Sequence, residues 1–299
     1  MSASVAATPR RVRPPAKLRK RAPWRDPTGK ISPLKIVTLV LVTLPGLYLA
    51  LAWQQGALGA RYVTEAEREL GTWTIRLLLL SLAVTPARFV LDWPRVVLLR
   101  RMIGVTTACY VLIHLSVYAL DQKWRIDVVA SEIVLRFYLT IGFIALSLLV
   151  ALAVSSTDAA MRRMGRSWKV LHRLIYFVAV LGLLHYLLQS KSDISSAAVA
   201  VGWFAWLMLW RALPRAWRGN LWVLPPLAIA AALLTAGIEA MWYASVSHSD
   251  PMRVLAANLD ISYEFRPAVQ VAIWGLAVFA VAGLRRLYPR LARRQPAAA

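Results

Sequence analysis

Long apolar runs separated by short polar connections dominate the chain. A helix that crosses a bilayer needs about 20 mainly apolar residues, and eight runs meet this requirement. They cover residues 32–53, 72–90, 102–120, 137–155, 169–189, 197–213, 221–246 and 268–285. The pattern predicts an all-α, polytopic membrane bundle of about eight transmembrane helices, with the lipid bilayer as its main surroundings.

Charge placement gives these helices a direction. The 299-residue chain is 59% hydrophobic, against about 45–50% in an average soluble domain, yet its formal net charge is +22. Such a charge can indicate nucleic-acid binding, but the basic residues cluster in alternate connections, as in cytoplasmic loops of membrane proteins. The basic segments are residues 1–30, 88–101, 156–169, 211–218 and 285–294. With eight spans they all fall on one side, so we expect cytoplasmic termini and no nucleic-acid partner.

Two histidines stand at matching depths in two predicted spans. His114 lies thirteen residues after Arg101, and His185 lies sixteen residues after Lys169. Both spans run outward from a basic segment, so at about 1.5 Å per residue both rings lie in the outer half of the membrane. Ionisable residues inside a bilayer are usually functional, and neutral imidazole is a heme ligand. The pair predicts a b-type heme suited to electron transfer; the alternative is two hydrogen-bonded packing residues.

His172 is a weaker candidate for a second heme. It lies thirteen residues before His185, which places it roughly 20 Å closer to the cytoplasm on a helix. On an ideal helix it also points about 140° away from His185. Ligation by His172 therefore requires a helix distortion or a different partner.

Several runs in the first two thirds of the chain resemble the MsrQ family, formerly YedZ. These are heme-binding membrane subunits of the periplasmic methionine-sulfoxide reductase system, within the wider ferric-reductase-like transmembrane group. The resemblance covers about residues 30–215. It rests on Gly71-Thr72-Trp73, Ser81 to Pro86, Arg100 to Gly104 with Tyr110, His114 and Tyr118, Leu152 to Ser156, and Gly165 to Tyr176 with His185 and Tyr186.

The resemblance implies an electron-transfer function in the bacterial inner membrane. Such proteins take electrons from the quinone pool and pass them outward to a periplasmic molybdopterin-containing reductase, which repairs oxidised methionines in envelope proteins. The family's heme histidines map onto His114, His172 and His185, for one or two hemes. FMN binding on the cytoplasmic side is also implied, and its phosphate would need cations there. The candidates are Arg100, Arg101, Arg163 and Arg166, which have a second interpretation as positive-inside anchors.

The chain departs from the six-helix pattern of this family. Its predicted parts are a basic disordered cytoplasmic tail (1–30), a six-helix heme-binding core (31–215), an additional transmembrane helix pair (219–286) and a second cytoplasmic tail (287–299). Glu239 lies in the added pair, near its outer end. We expect this carboxylate to face the outer interface; the alternative is a role in proton uptake linked to quinol oxidation.

Two other functions remain open from the sequence. A ferric or oxygen reductase would carry heme in similar helices, but such relatives usually have a fused cytoplasmic flavin and nicotinamide domain. Only about fifteen residues follow the last predicted span. A transporter or assembly factor often shows two related halves, and the chain shows none. The chain is therefore expected to be an electron-transfer subunit of an oxidoreductase system rather than its catalytic subunit.

Overall fold

The computed structural model describes residues 22, 24–25, 29–191, 193–260, 262 and 264–292. Regular structure in these residues is helical apart from one isolated bridge between Arg25 and Ile31, so the all-α prediction is confirmed. The predicted tail at 1–30 lies almost entirely outside the described residues, as do residues 293–299 of the second tail.

Twelve α-helices follow one another in the described part of the chain. They are α1 (Pro33–Gln54), α2 (Tyr62–Val90), α3 (Arg100–Asp121), α4 (Ile126–Leu135), α5 (Phe137–Val154), α6 (Asp158–Met164), α7 (Arg166–Leu171), α8 (Leu174–Gln189), α9 (Ser195–Ala212), α10 (Leu224–Val246), α11 (Pro251–Ala257) and α12 (Pro267–Ala292).

Seven helical segments of the described chain are long and apolar enough to cross a membrane. They are Pro33–Gln54, Tyr62–Val90, Pro94–Asp121, Phe137–Val154, Arg166–Gln189, Leu221–Val246 and Pro267–Leu287. The remaining predicted span, 197–213, corresponds to α9, which is not among these seven segments and carries three tryptophans, two serines and Arg211. Helix α9 nevertheless packs against α2, α8, α10 and α12, with Trp206 and Trp210 buried. It therefore runs inside the bundle beside the seven spans.

Several helices extend beyond the predicted apolar runs. Helix α2 begins at Tyr62, ten residues before its predicted start, and α12 continues to Ala292, into the predicted tail at 287–299. The short helices α4, α6 and α11 occupy connections that were not expected to be helical. Hydropathy detects only the lipid-crossing part of a helix, whereas backbone hydrogen bonding continues through polar residues that favour helix.

A tyrosine hydroxyl replaces a backbone hydrogen bond in α1. Gly46 donates its N–H to the Tyr110 hydroxyl at 2.7 Å, and that hydroxyl donates to the Val42 carbonyl at 3.0 Å. Val42 and Gly46 are four residues apart, so the hydroxyl is inserted where the direct helical bond would form, next to Pro45. A Cβ at residue 46 would lie only 2.9 Å from the hydroxyl oxygen, so the insertion depends on glycine.

A second proline is compensated by an arginine. Pro86 in α2 has no N–H, which leaves the Leu82 carbonyl without its helical donor. Arg211 of α9 donates Nη2–H to this carbonyl at 2.5 Å. Nearby, Arg286 of α12 donates to the carbonyls of Phe89 and Val90 at 3.1 and 3.0 Å. Arginine side chains thus supply hydrogen-bond donors to backbone carbonyls near the carboxyl end of α2. We call this end of the bundle, where α2, α9 and α12 finish and α3 begins, the basic end.

Helices α10 and α12 pack on each other and on α9. The close approach depends on two glycines. A Cβ at Gly202 of α9 would overlap Thr235 and Val271, and a Cβ at Gly275 of α12 would lie 2.6 Å from the Cβ of Ala228. Small residues that let helix backbones approach are the usual basis of packing between membrane helices.

The expected interfacial position of Glu239 is wrong. Its side chain is fully buried. One carboxylate oxygen lies 3.3 Å from Nη2 of Arg266, and the other accepts from Asn258 Nδ2 at 2.8 Å. Helix α11 packs against α10, and the residue that caps its end, Asn258, has its side-chain amide against the carboxylate. Because a buried charge is stable only when paired and hydrogen-bonded, this cluster holds the α10–α12 connection together.

Candidate heme-binding site

His114 reaches from α3 to the backbone of α2. Its Nδ1 lies 2.8 Å from the carbonyl oxygen of Glu67. A carbonyl can only accept, so Nδ1 carries the proton and donates it. The neutral ring therefore presents an unprotonated Nε2, which has no hydrogen-bond partner among the residues that the structure describes.

His185 repeats this arrangement on another pair of helices. It reaches from α8 to α5, and its Nδ1 donates to the Tyr138 carbonyl at 2.8 Å. The same reasoning assigns the proton to Nδ1 and a free lone pair to Nε2. Within the described part of the chain, this Nε2 likewise has no hydrogen-bond partner.

A glycine lies against each imidazole. Gly71 follows Glu67 by four residues, and Gly142 follows Tyr138 by four residues. A Cβ at Gly71 would lie 3.2 Å from Cε1 of His114, and one at Gly142 would lie 2.7 Å from Nδ1 of His185. The carbonyl of residue i normally accepts from the N–H of residue i+4. Each histidine therefore shares a helical carbonyl with a glycine whose missing side chain leaves room for the ring.

The two rings lie at one level of the bundle. Thr72, the neighbour of Gly71, has its hydroxyl 3.2 Å from that of Tyr186, the neighbour of His185. Both imidazoles are partly buried. Histidines that bind a metal usually donate their other N–H to a carbonyl or carboxylate, which fixes tautomer and ring orientation. The donor set thus fits heme iron held between two imidazoles through Nε2.

His172 has a different environment. It lies at the interruption between α7 and α8, where its ring stacks on Trp168 with centroids 3.8 Å apart. Its Nδ1 lies 3.1 Å from the Trp168 carbonyl, and its Nε2 lies 3.2 Å from the Ser156 hydroxyl. The helix distortion that ligation requires is present, but Nε2 would have to exchange Ser156 for iron. A second heme at His172 stays a prediction.

Several known proteins are similar to this chain in sequence. The protein-methionine-sulfoxide reductase heme-binding subunit MsrQ of Rhodospirillum rubrum is 40% identical over 192 residues, which are 64% of this chain and 90% of that protein. The proteins of the same name from Xanthomonas campestris pv. campestris and Caulobacter vibrioides are 42% and 37% identical and are covered over 83% and 95% of their lengths. The chain belongs to the MsrQ family. The model of the ferric reductase like transmembrane component also matches residues 70–183. No solved structure matches the chain.

Membership of the MsrQ family makes this chain a multi-pass membrane protein with a ferric-reductase-like domain. The matched range contains Gly71, His114, Gly142 and His172, and it ends two residues before His185. The curated relatives match only 58–65% of this chain.

The four arginines predicted to contact FMN lie at or near the basic end. Arg100 donates to the Thr85 hydroxyl. Arg101 forms an ion pair with Asp158 at 2.6 Å, so part of its charge is already compensated. Arg163 and Arg166 are exposed on α6 and α7. The role of these residues in binding FMN stays a prediction.

Sequence reasoning found the histidines but missed what orients them. The acceptors are backbone carbonyls of Glu67 and Tyr138, which no side-chain pattern reveals. The available signal was the pair Gly71 and Gly142. A glycine in a helix interior lowers helix stability and usually has a packing reason.

Proposed function

We propose that this chain is a membrane-embedded electron-transfer subunit that binds b-type heme between His114 and His185. In this proposal, electrons from the quinone pool pass to a periplasmic molybdopterin-containing methionine-sulfoxide reductase, which repairs oxidised envelope proteins. The observation that carries the proposal is the pair of Nδ1–H···O=C bonds at 2.8 Å, which leaves one free Nε2 on each ring. The relatives' name, heme-binding subunit of protein-methionine-sulfoxide reductase, supports it.

The residues around the pair have defined tasks. Heme iron, when bound, supplies a one-electron redox couple whose potential depends on its axial ligands and surroundings. The carbonyls of Glu67 and Tyr138 hold each ring in one tautomer and raise the basicity of Nε2. Gly71 and Gly142 let the rings sit close to the helix backbones. These contacts fix both ligands before a cofactor binds.

The position of the pair supports outward electron transfer. His185 lies four residues before the end of α8, and His114 lies seven residues before the end of α3. Both helix ends are opposite the basic end. The positive-inside rule favours a cytoplasmic basic end, so the proposal includes an inner-membrane protein with both termini in the cytoplasm. The proposal also includes FMN near Arg100 and Arg101 and a second heme at His172.

The test is the cofactor content and the spectrum of the purified chain. Heme and flavin are quantified per chain, and a reduced-minus-oxidised spectrum is recorded. We expect a b-type spectrum that is lost in His114→Ala and in His185→Ala. His248→Ala is the matched control because His248 is exposed in a loop, and it should retain the full signal. A wild-type protein without heme, or a spectrum unchanged in both ligand variants, would falsify the proposal.

A further inference from the structure

Arg76 lies near the start of the apolar run of α2 (72–90), four residues after the run begins, and its side chain is exposed. Arg76 is fourteen residues from either end of the helix. Its guanidinium lies over the ring of Trp73, 4.8 Å from the centroid, and the described residues provide no carboxylate partner. Because a charge inside the bilayer is costly, such residues usually face a polar cavity and serve a function.

Arg76 lines a cleft of about 260 Å³ between α2, α8, α9 and α12. One part of its wall is polar, and the other part is apolar. The polar side chains besides Arg76 are Thr72, Tyr186, Ser195, Ser196 and Gln270. The apolar wall includes Ile75, Leu79, Val199 and Trp203. The cleft therefore combines hydrogen-bond donors with a surface for a flat apolar ring.

The cleft adjoins the histidine pair. Two of its lining residues, Thr72 and Tyr186, immediately follow Gly71 and His185 in the chain. Their hydroxyls lie 3.2 Å apart, so α2 and α8 meet between the cleft and the pair. Thr72 and Tyr186 therefore border the cleft and are also the chain neighbours of two residues of the histidine site.

A carboxylate, Asp193, lies next to the lining residue Ser195. Asp193 accepts the Ser195 N–H at 3.0 Å. Hydrogen bonds from the Ser195 N–H and side chain hold the pKa of this carboxyl below its ordinary value, so it stays charged at neutral pH. Phosphate groups of lipids are usually bound by clusters of basic residues, whereas Arg76 is the single cation among the lining residues. A neutral ligand with carbonyl oxygens fits better.

We propose that this cleft binds the headgroup of a quinone, with Arg76 donating to a carbonyl oxygen. The ring would lie against the apolar wall near Trp203, and Tyr186 would supply a further hydroxyl close to His185. This inference rests on the proposed function, because it names the place where that function meets its quinone. It puts the quinone level with the histidine pair, away from the arginines of the basic end.

Direct binding tests the assignment without requiring electron transfer. The full-length purified protein in lipid nanodiscs is titrated calorimetrically with decylubiquinone, a short-chain quinone. We expect saturable binding of one quinone per chain, weakened at least tenfold in Arg76→Gln, since hydrogen bonds to charged groups are the strong ones. Arg68→Gln is the matched control on the same helix, because Arg68 is exposed and pairs with Glu65 at 3.6 Å. It should bind like the wild type.

Two other variants, Arg76→Lys and Ser196→Val, test the same cleft if the Arg76→Gln protein does not insert into the membrane. The lysine keeps the charge with fewer donors, so its affinity should be intermediate, and loss of the hydroxyl of Ser196 should weaken binding severalfold. Unchanged affinity in the Arg76 variants, equal weakening in Arg68→Gln, or absence of wild-type binding overturns the inference. So does loss of a copurifying phospholipid in Arg76→Gln with quinone affinity unchanged.

The heme spectrum of the same preparations separates the two proposals. An intact b-type spectrum with quinone binding independent of Arg76 removes the cleft assignment and leaves the proposed function standing. Quinone binding that depends on Arg76, in a protein that contains no heme, removes the proposed function and leaves the cleft assignment standing.

Discussion

Gly142→Ala is the sharpest test of how the ligand rings are held. An added Cβ would lie 2.7 Å from Nδ1 of His185, whereas ordinary contacts begin at 3.4 Å. The ring or α5 must therefore move by about 0.7 Å, the difference between these values. Such a movement stretches the 2.8 Å hydrogen bond to the Tyr138 carbonyl to about 3.5 Å, the limit of a real bond.

The magnitude follows from three opposing effects. Overpacking a well-packed site costs about 1–3 kcal/mol, and the lost hydrogen bond costs about 0.5–1.5 kcal/mol. Alanine is a better helix former than glycine by about 1 kcal/mol, which offsets part of the loss. We expect a net destabilisation of about 1–3 kcal/mol, a melting temperature lower by several degrees, and reduced heme occupancy.

Two other glycines provide matched controls. At Gly71 the added Cβ lies 3.2 Å from the His114 ring, so a shift of about 0.2 Å relieves the contact, and at Gly104 nothing lies within 4 Å. Gly71→Ala should therefore be nearly neutral, and Gly104→Ala should be stabilising, since only the helix propensity changes there. The assay is thermal unfolding in detergent together with heme per chain and the reduced-minus-oxidised spectrum.

The reasoning would be refuted by one pattern in particular. If Gly142→Ala kept full heme content and melted like Gly71→Ala, the close contact with His185 would not control the position of the ring. A loss of heme in Gly104→Ala would show instead that any alanine in these helices disturbs the bundle.

Two further substitutions test the buried polar contacts. Arg211→Leu leaves the Leu82 carbonyl without a donor and should lower the free energy of unfolding by about 1–3 kcal/mol. In a Pro86→Ala background, residue 86 supplies its own N–H, so the same substitution should cost clearly less in thermal unfolding. Arg266→Gln leaves the fully buried Glu239 carboxylate without its cation. It should destabilise the protein by about 3 kcal/mol without changing heme per chain.

Each of these predictions has a contrary result. Equal losses from Arg211→Leu with and without Pro86 would show that the arginine acts by packing or charge rather than by replacing a helical donor. An Arg266→Gln protein as stable as the wild type would show that Glu239 does not need its cation. A loss of heme in that variant would link the α10–α12 connection to the histidine pair.

Most of the fold could be predicted from hydropathy because lipid demands long apolar helices. The prediction was least accurate where helices leave the apolar phase. Polar residues at the start of α2 continue the helix from Tyr62, and α4 lies in a connection with no apolar run of span length. Glu239 was misplaced because its partners, Asn258 and Arg266, come from later in the chain. Sequence spacing does not show such tertiary pairing.

The two histidines of the candidate site could be predicted from the sequence, but the groups that contact them could not. Depth along the helix is fixed by counting residues, which placed His114 and His185 at one level. The groups that accept hydrogen bonds from the two rings are backbone carbonyls. Since every residue has such a carbonyl, the sequence does not show which ones accept. No function was predicted for Arg76, because a single arginine inside an apolar run looks like a break in the hydrophobic pattern. Only its position beside Ser196 and Tyr186 indicates a binding role.

The absence of a side chain at Gly202 makes the last two long helices part of the packing of α9. The recess there is filled by Thr235 and Val271, so the surface of α9 is complementary to α10 and α12. Truncation of the chain after Arg218 would expose a groove on α9 that flexible lipid tails fill poorly. It would also remove Arg286, which donates to the carbonyls at the end of α2. The shortened protein would therefore be an incomplete bundle.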